Sequence, residues 1–350
     1  MSAFFLCYLP STVIDLVSEL KKNPFVLAPM AAITDSPFRS FMREMGCGIV
    51  ISELVSSHGI KYGGARTFDL MSYTESQRPV GIQLFGEDPD IMALAAEVVE
   101  KQGVDFVDIN LGCPVPKVVK KGAGAGLLRD PVFLNKYLRK IKSAISIPLT
   151  IKIRTGWDDN SRNASEIVQA AYDAGVTWVA IHGRTRAQGY SGLADWDLIR
   201  EVKANSPLPI IGNGDITSAP KALQRLVESD CDGVMIGRGC LKNPWIFAQS
   251  YRLWKNHTEA ELTRDFCGSL KRLKYFIDER NDTRYSLITM KKFTSWFSAG
   301  YPNSQHFRRS LFDAKSSSEV LTLAEDYFMK FDVAAQLDTS AEPFLMGGHG

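Results

Sequence analysis

From Phe25 onward one unit repeats along the chain. A short apolar, β-branched run is followed by polar or glycine punctuation and then by a segment whose apolar residues recur at helical spacing. The runs are FVLAPMA (25–31), IVISELV (49–55), PVGIQLFG (79–86), DFVDINLG (105–112), PLTIKIRTG (148–156), WVAIHGR (178–184), PIIGNGD (209–215) and GVMIGRG (233–239), each of which reads as a strand. Helices are predicted between them over 34–46, 88–102, 131–145, 163–174, 194–204 and 218–229. Asp88-Pro89 and Asp130-Pro131 are start signals, because a proline after a capping aspartate gives up an N–H that has no partner in the first turn anyway. The weakest helical segment is 59–72, which carries Gly63 and Gly64 inside it.

Eight strands alternating with helices imply a parallel sheet, and strands that are apolar almost throughout imply that both its faces are covered. Residues 25–254 therefore read as an α/β, (β/α)8 TIM barrel, which typically takes about 250 residues. A doubly wound open sheet fits less well, because polar residues close nearly every strand instead of gathering at one switch point. After Trp254 the rhythm changes. CGSLKRLKYFIDER and SSEVLTLAEDYFMKF show helical spacing only, so residues 255–337 read as a smaller all-helical C-terminal domain. Residues 1–24 form an N-terminal extension with a short amphipathic helix at 11–22, capped by Ser11 or Thr12, and residues 338–350, ending GGHG, read as a disordered tail.

Composition narrows the class. With 45% hydrophobic and 23% charged residues the chain is an ordinary globular protein with ample core. A formal net charge of +2 points to no partner by itself, so any nucleic-acid surface has to come from local segregation of charge. The six cysteines contain no CxxC pair, which argues against a zinc cluster or a disulfide framework, for a reducing compartment and for no metal site. The apolar run at the N-terminus lacks a basic leader and is broken by Pro10; it is too short for a membrane span, and a cytoplasmic location is expected.

In a barrel the strand C-termini converge on one mouth. The side chains collected there are Met30, Glu53, Gln83, Asn110, Cys113, Lys152, Arg154, His182, Arg184, Asn213, Asp215 and Arg238. Lys152 and Arg154 are two residues apart, as are His182 and Arg184, so each pair shares one face of its strand. Cations gathered at a strand end with few carboxylates call for an anionic ligand. The glycines of GNGD and GRG, on the last two strands, read as a phosphate clamp. DINLGCPVP ends a strand on an amide, a thiol and the rigid Pro114, whereas KGAGAG (121–126) reads as a mobile loop made basic by Lys117, Lys120 and Lys121. From these residues alone, Lys152 as the Schiff-base nucleophile of an aldolase-type lyase stays open.

The ordered set APMA, ITDSPFR, QLFG, DINLGCP, KIRTGW, HGRTR, NGD and GRG resembles the tRNA-dihydrouridine synthases from about Phe25 to Trp254, and a helical C-terminal domain also accords with that family. The resemblance implies FMN at the barrel mouth. Pro29, Met30 and Ala31 would lie beside the isoalloxazine, Gln83 would hydrogen-bond the ring, and Lys152 and His182 would face its pyrimidine edge. Asn213, Gly214 and Asp215 would hold the ribityl–phosphate portion, with Gly237 and Arg238 on the phosphate. It also implies that NADPH reduces the FMN, that a hydride reaches C6 of a D-loop uridine in tRNA, and that Cys113 gives a proton to C5. Asn110, Arg154, Arg184 and Tyr190 would contact the substrate. Residues 271–309 hold nine Lys or Arg against three acids, interleaved with Tyr275, Tyr285, Phe293, Trp296 and Phe297, and with Lys291 and Arg308 among the cations. The resemblance makes this stretch a tRNA-binding face. A monomer is expected. A rival reading is an FMN barrel reductase acting on a small pyrimidine. The extension before Phe25 departs from the family pattern, and either caps the bottom of the barrel or contacts a partner.

Overall fold

The computed structural model describes residues 14–256, 264–280 and 282–331. Eight strands form: β1 (Phe25–Leu27), β2 (Val50–Ser56), β3 (Val80–Phe85), β4 (Phe106–Leu111), β5 (Leu149–Arg154), β6 (Trp178–His182), β7 (Ile210–Asn213) and β8 (Gly233–Ile236). All pair in parallel in the order β1-β8-β7-β6-β5-β4-β3-β2. The ring is closed by a parallel bridge between Val26 and Ile49, where the Leu27 N–H donates to the Ile49 carbonyl at 3.0 Å. This is a (β/α)8 barrel with helices wrapped outside it.

The helices begin where the sequence signals place them. Asp88 accepts the N–H groups of Asp90 and Ile91 at the start of Pro89–Lys101, and Asp130 accepts that of Phe133 at the start of Pro131–Ser143. The segment 59–72 is not one helix but two, Ser57–Lys61 and Ala65–Leu70, separated at Gly63.

Strand parity fills the interior in layers. Phe106 and Trp178 make the floor, edge to face at 5.6 Å between ring centroids. Gly81 pairs with Phe106 on the neighbouring strand, and a Cβ there would lie 2.3 Å from the Phe106 ring, so the floor closes only because position 81 has no side chain. Leu16 and Leu20, from the helix Leu16–Lys22, pack into the same cluster and seal the bottom of the barrel. That helix starts at Asp15, whose carboxylate accepts the N–H groups of Val17 and Ser18. A cap at Ser11 or Thr12 falls outside the described residues, as does the tail 338–350.

Beyond the barrel, the helices Phe266–Asp278, Thr283–Phe297, Ser304–Asp313 and Ser317–Phe328 pack about an aromatic core in which Phe266 stacks on Phe328 at 4.5 Å. Phe293 stacks on Phe38 of the barrel helix Ser36–Glu44 at 4.7 Å, so the apolar core runs on from barrel to helices. Ion pairs Arg272–Glu44 and Arg280–Asp69 add to that junction.

A cation-lined candidate active site at the barrel mouth

Above the aromatic floor the interior turns polar. Asp108 on β4 accepts the Thr150 hydroxyl and the Gln83 amide, each at 2.6 Å, and burial pushes its carboxyl up to about 6. The Gln83 carbonyl in turn accepts the Asn110 amide at 2.9 Å. The Asn110 oxygen then accepts the backbone N–H groups of Gly112 (3.2 Å) and Cys113 (2.9 Å). This chain of hydrogen bonds runs from the barrel interior to the turn that presents the thiol, and a satisfied buried network of this kind rigidifies what it holds. Gln83 is wholly enclosed beneath the mouth and does not line the cleft described below.

Cys113 is 9% exposed. Burial raises its pKa above the ordinary thiol value; the Val115 N–H and the nearby Arg154 guanidinium oppose the rise. The thiol is therefore neutral at pH 7. Part of residues 121–126, the loop that the sequence reads as mobile, packs against it. Ala123, Gly124 and Ala125 are buried, and the Ala125 N–H donates to the Cys113 carbonyl at 3.2 Å. Gly124 has a φ of +58°, and a Cβ there would sit 3.2 Å from that of Cys113, so its glycine serves close packing against the thiol turn.

The ends of β5, β6, β7 and β8 surround an open cleft. Its walls include Pro29, Met30, Lys152, His182, Arg184, Tyr190, Asn213, Gly214, Asp215, Gly237 and Arg238. Lys152 donates to the Asn213 side-chain oxygen at 3.0 Å, and Asn213 donates to the Met235 carbonyl at 2.7 Å. Burial, reinforced by the charge of Arg154, pushes the Lys152 ammonium down to about 8. Arg184 spans both oxygens of Asp215, at 2.8 and 2.9 Å, and also donates to the Ser191 and Gly192 carbonyls. Arg154 ties the thiol turn to the loop after β6, donating to the carbonyls of Gly112, Thr185 and Gly189. The guanidinium groups of Arg154 and Arg238 lie 5.7 and 4.6 Å from the centre of the Tyr190 ring.

His182 is held well below its ordinary pKa, first by burial and then by Lys152, Arg154, Arg184 and Arg238. It is a neutral imidazole at pH 7. Its Nε2 faces the Arg184 guanidinium at 3.3 Å; an arginine can only donate, so Nε2 accepts and the ring proton sits on Nδ1.

Other predicted residues lie elsewhere. Ala31 is exposed at the rim and is not part of the cleft wall. Lys291 donates to the Phe312 carbonyl within the helical region, and Arg308 lies beside Tyr327. The basic stretch 271–309 is less unbalanced than its local count suggests. Lys271, Arg272, Lys274 and Arg280 pair with Glu325, Glu44, Asp278 and Asp69, and only Asp278 belongs to the stretch itself. Phe293 and Phe297 are core residues, whereas Tyr275 is 52% exposed. Ile216 and Thr217, which follow GNGD, and Gly239, the last residue of GRG, also line the cleft; the two glycine segments were the available signal.

Three cations and one carboxylate line this cleft among the described residues, in a barrel whose mouth also carries a buried neutral thiol. Fold and site together define a (β/α)8 barrel with a cation-lined cleft at its mouth. The chain belongs to the dihydrouridine synthase family, whose family model, described as Dihydrouridine synthase (Dus), matches residues 26–332. It is 37% identical over 316 residues to tRNA-dihydrouridine synthase B of Escherichia coli (strain K12), covering 89% of this chain and 97% of that one. It is 35% identical over 309 residues to tRNA-dihydrouridine synthase B of Xanthomonas axonopodis pv. citri (strain 306), covering 87% and 92%. A probable tRNA-dihydrouridine synthase of Rickettsia bellii (strain RML369-C) is 36% identical over 294 residues, covering 83% and 90%. Among solved structures, histamine dehydrogenase from Rhizobium sp. 4-9 superimposes with a TM-score of 0.52 at 15% identity, covering 73% of this chain and 49% of that one, a likeness of fold. No helix among the described residues is long and apolar enough to cross a membrane.

Proposed function

We propose that this protein is a tRNA-dihydrouridine synthase that holds FMN in the cleft, takes electrons from NADPH and reduces the C5=C6 bond of D-loop uridines, acting as a monomer in the cytoplasm. The observation that carries the reading is the cation set of the cleft. Lys152, Arg184 and Arg238 stand around one carboxylate, and the depressed pKa of Lys152 marks an ammonium short of negative charge. An anionic cofactor fits that donor set. Lys152, Arg184 and Arg238 would bind it, Asn213 would orient Lys152, and Pro29 and Met30 would wall one side. When bound, FMN supplies the hydride for C6 of the uracil.

The remaining work falls to side chains of this chain. Lys152 would support negative charge on the bound cofactor, and fixed donors in a water-poor site stabilise such charge strongly. Cys113 holds its proton on Sγ at pH 7 and releases it to C5, the role of a general acid. Asn110 fixes the thiol turn, and Arg154 locks that turn to the loop carrying Tyr190. A base inside a folded tRNA cannot enter such a cleft, so the uridine must be turned out of its stack. Cations of the helical region would then hold the RNA backbone.

The visible spectrum of the purified protein is the first test. A colourless preparation that takes up no FMN overturns the cofactor assignment. With a yellow preparation, Cys113→Ala is expected to leave NADPH-driven flavin reduction intact while uridine reduction falls by about 10²–10⁴-fold. Equal loss of both half-reactions overturns the proton-donor role. Loss of uridine reduction only when the basic helical face is neutralised supports tRNA over a small pyrimidine as substrate.

A further inference from the structure

One residue at the mouth is held through both of its backbone polar groups by side chains with no part in the chemistry above. Ala32 has a φ of +60°, a left-handed conformation that a residue with a Cβ adopts at a cost of about 1–2 kcal/mol. Such conformations persist where the surroundings over-determine them. The Ala32 N–H donates to the carboxylate of Glu53, in the middle of β2 where its pairing with β3 is irregular between Ile51 and Leu54. Its carbonyl accepts the Lys292 ammonium, from the helix Thr283–Phe297, at 2.8 Å.

The clamped residue belongs to a tight turn. The Met30 carbonyl accepts the N–H groups of Ile33 (3.1 Å) and Thr34 (3.0 Å), and the Thr34 hydroxyl accepts the Met30 N–H at 3.0 Å. Pro29 and Met30, which open that turn, form one wall of the cleft. Glu53 is 8% exposed and Lys292 is half-buried, its ammonium 5.0 and 5.4 Å from the ring centres of Phe293 and Trp296. Opposite charges thus hold the two peptide groups that flank Ala32, the carboxylate buried and the ammonium half-buried. A pair so placed serves geometry better than bulk stability, because buried charges contribute little net energy.

We propose that Glu53 and Lys292 are positioning residues, a two-sided clamp on Ala32 that sets the Pro29–Met30 wall of the cleft and makes it depend on the seating of the helical region. Glu53 anchors the turn to the barrel, and Lys292 anchors it to a helix that also stacks Phe293 on Phe38. The inference rests on the reading of the cleft as the FMN site, and the experiment keeps the two apart.

Amide hydrogen exchange of the turn 29–34 is measured on the apo protein, where no cofactor is needed, and FMN affinity is measured separately by fluorescence titration. Wild type is expected to protect the Ala32 amide. Glu53→Ala and Lys292→Met should each lose that protection and bind FMN about tenfold more weakly, with melting temperatures unchanged to within about 4 °C. Glu53→Gln and Lys292→Arg, which keep an acceptor and a donor, should restore both. The double variant Glu53→Ala/Lys292→Met should lose no more than either single one, because both groups hold the same residue in its left-handed conformation. Wild-type exchange or FMN affinity retained in folded Glu53→Ala and Lys292→Met overturns the clamp. So does failure of the conservative variants to rescue. A wild type that protects Ala32 but takes up no FMN overturns the cofactor reading and leaves the clamp standing on its exchange result.

Discussion

The side-chain oxygen of Asn110 accepts the backbone N–H of Cys113 at 2.9 Å. It also accepts the Gly112 N–H, while its amide donates to Gln83, so Asn110 acts as the hinge pin of the thiol turn. The resemblance casts Asn110 as a substrate contact, and the structure shows what else it does. Asn110→Ala strands two backbone donors, at a cost of about 1–3 kcal/mol if they stay buried. It also frees the thiol to drift, and a misplacement of about 1 Å can cost about 10²-fold in rate. Single-turnover uridine reduction should fall by that order, with NADPH-driven flavin reduction within about twofold of wild type. Equal slowing of both steps would show that Asn110 acts on the cleft and not on the thiol.

Lys152 carries a pH signature. Its ammonium titrates at about 8 in the free protein. An anion bound beside it favours the protonated form, so the affinity for FMN should be level from pH 7 to 8. Above that it should fall by up to about tenfold per pH unit as the free protein loses the charge. Lys152→Met should bind more weakly with no such slope. Stability of the ligand-free protein moves the other way. The unfolded lysine titrates near about 10.4, so between the two values the unfolded chain binds more protons and stability rises with pH. Titration of FMN at several pH values, with melts of the apo protein, checks both signs.

Gly81 tests the floor on which the mouth stands. A methyl there meets the Phe106 ring at 2.3 Å, and that ring is fixed by Trp178 and has no exposed surface. Gly81→Ala should therefore destabilise by about 1–3 kcal/mol through overpacking. Gly81→Ala/Phe106→Leu should recover part of the loss, because the smaller side chain vacates the space. Denaturant melts of the two variants decide it.

These features differ in how far the sequence announces them. The strands are legible because a parallel strand buried on both faces must be apolar throughout, and the capping aspartates are legible because Pro89 and Pro131 follow them. β1 ends at Leu27, short of the run FVLAPMA, because Pro29 has no N–H to give a ladder. The gathering of Lys152, His182, Arg184, Asn213, Asp215 and Arg238 follows from strand parity once a barrel is assumed. What could not be read is set by contacts between distant segments. Lys292 meets Ala32 across 260 residues and Arg272 meets Glu44 across 228, so no local window shows either. KGAGAG looks the same in sequence whether it waves in solvent or packs on a thiol; only the space beside Cys113 distinguishes them.

That distant pairing also decides which cations are left for RNA. Arg272 and Arg280 bond the carboxylates of Glu44 and Asp69 on the barrel, so their charges are already answered. Arg284 and Arg309 are exposed and Arg308 is half-buried, and among the described residues none of the three is in an ion pair with a carboxylate. Removing a cation that neutralises one phosphate should lower the slope of log affinity against log salt by about 0.7–0.9. Arg308→Ala/Arg309→Ala is therefore expected to weaken tRNA binding and flatten that slope by about 1.4–1.8. Arg272→Ala/Arg280→Ala removes the same formal charge but frees two carboxylates at the junction. It should leave the slope closer to wild type while lowering the melting temperature. Filter binding across a salt series, run beside thermal melts, separates the two pairs. An equal flattening by both would mean that the Glu44 and Asp69 partners are surrendered when RNA arrives, and that the helical region binds through its whole basic stretch.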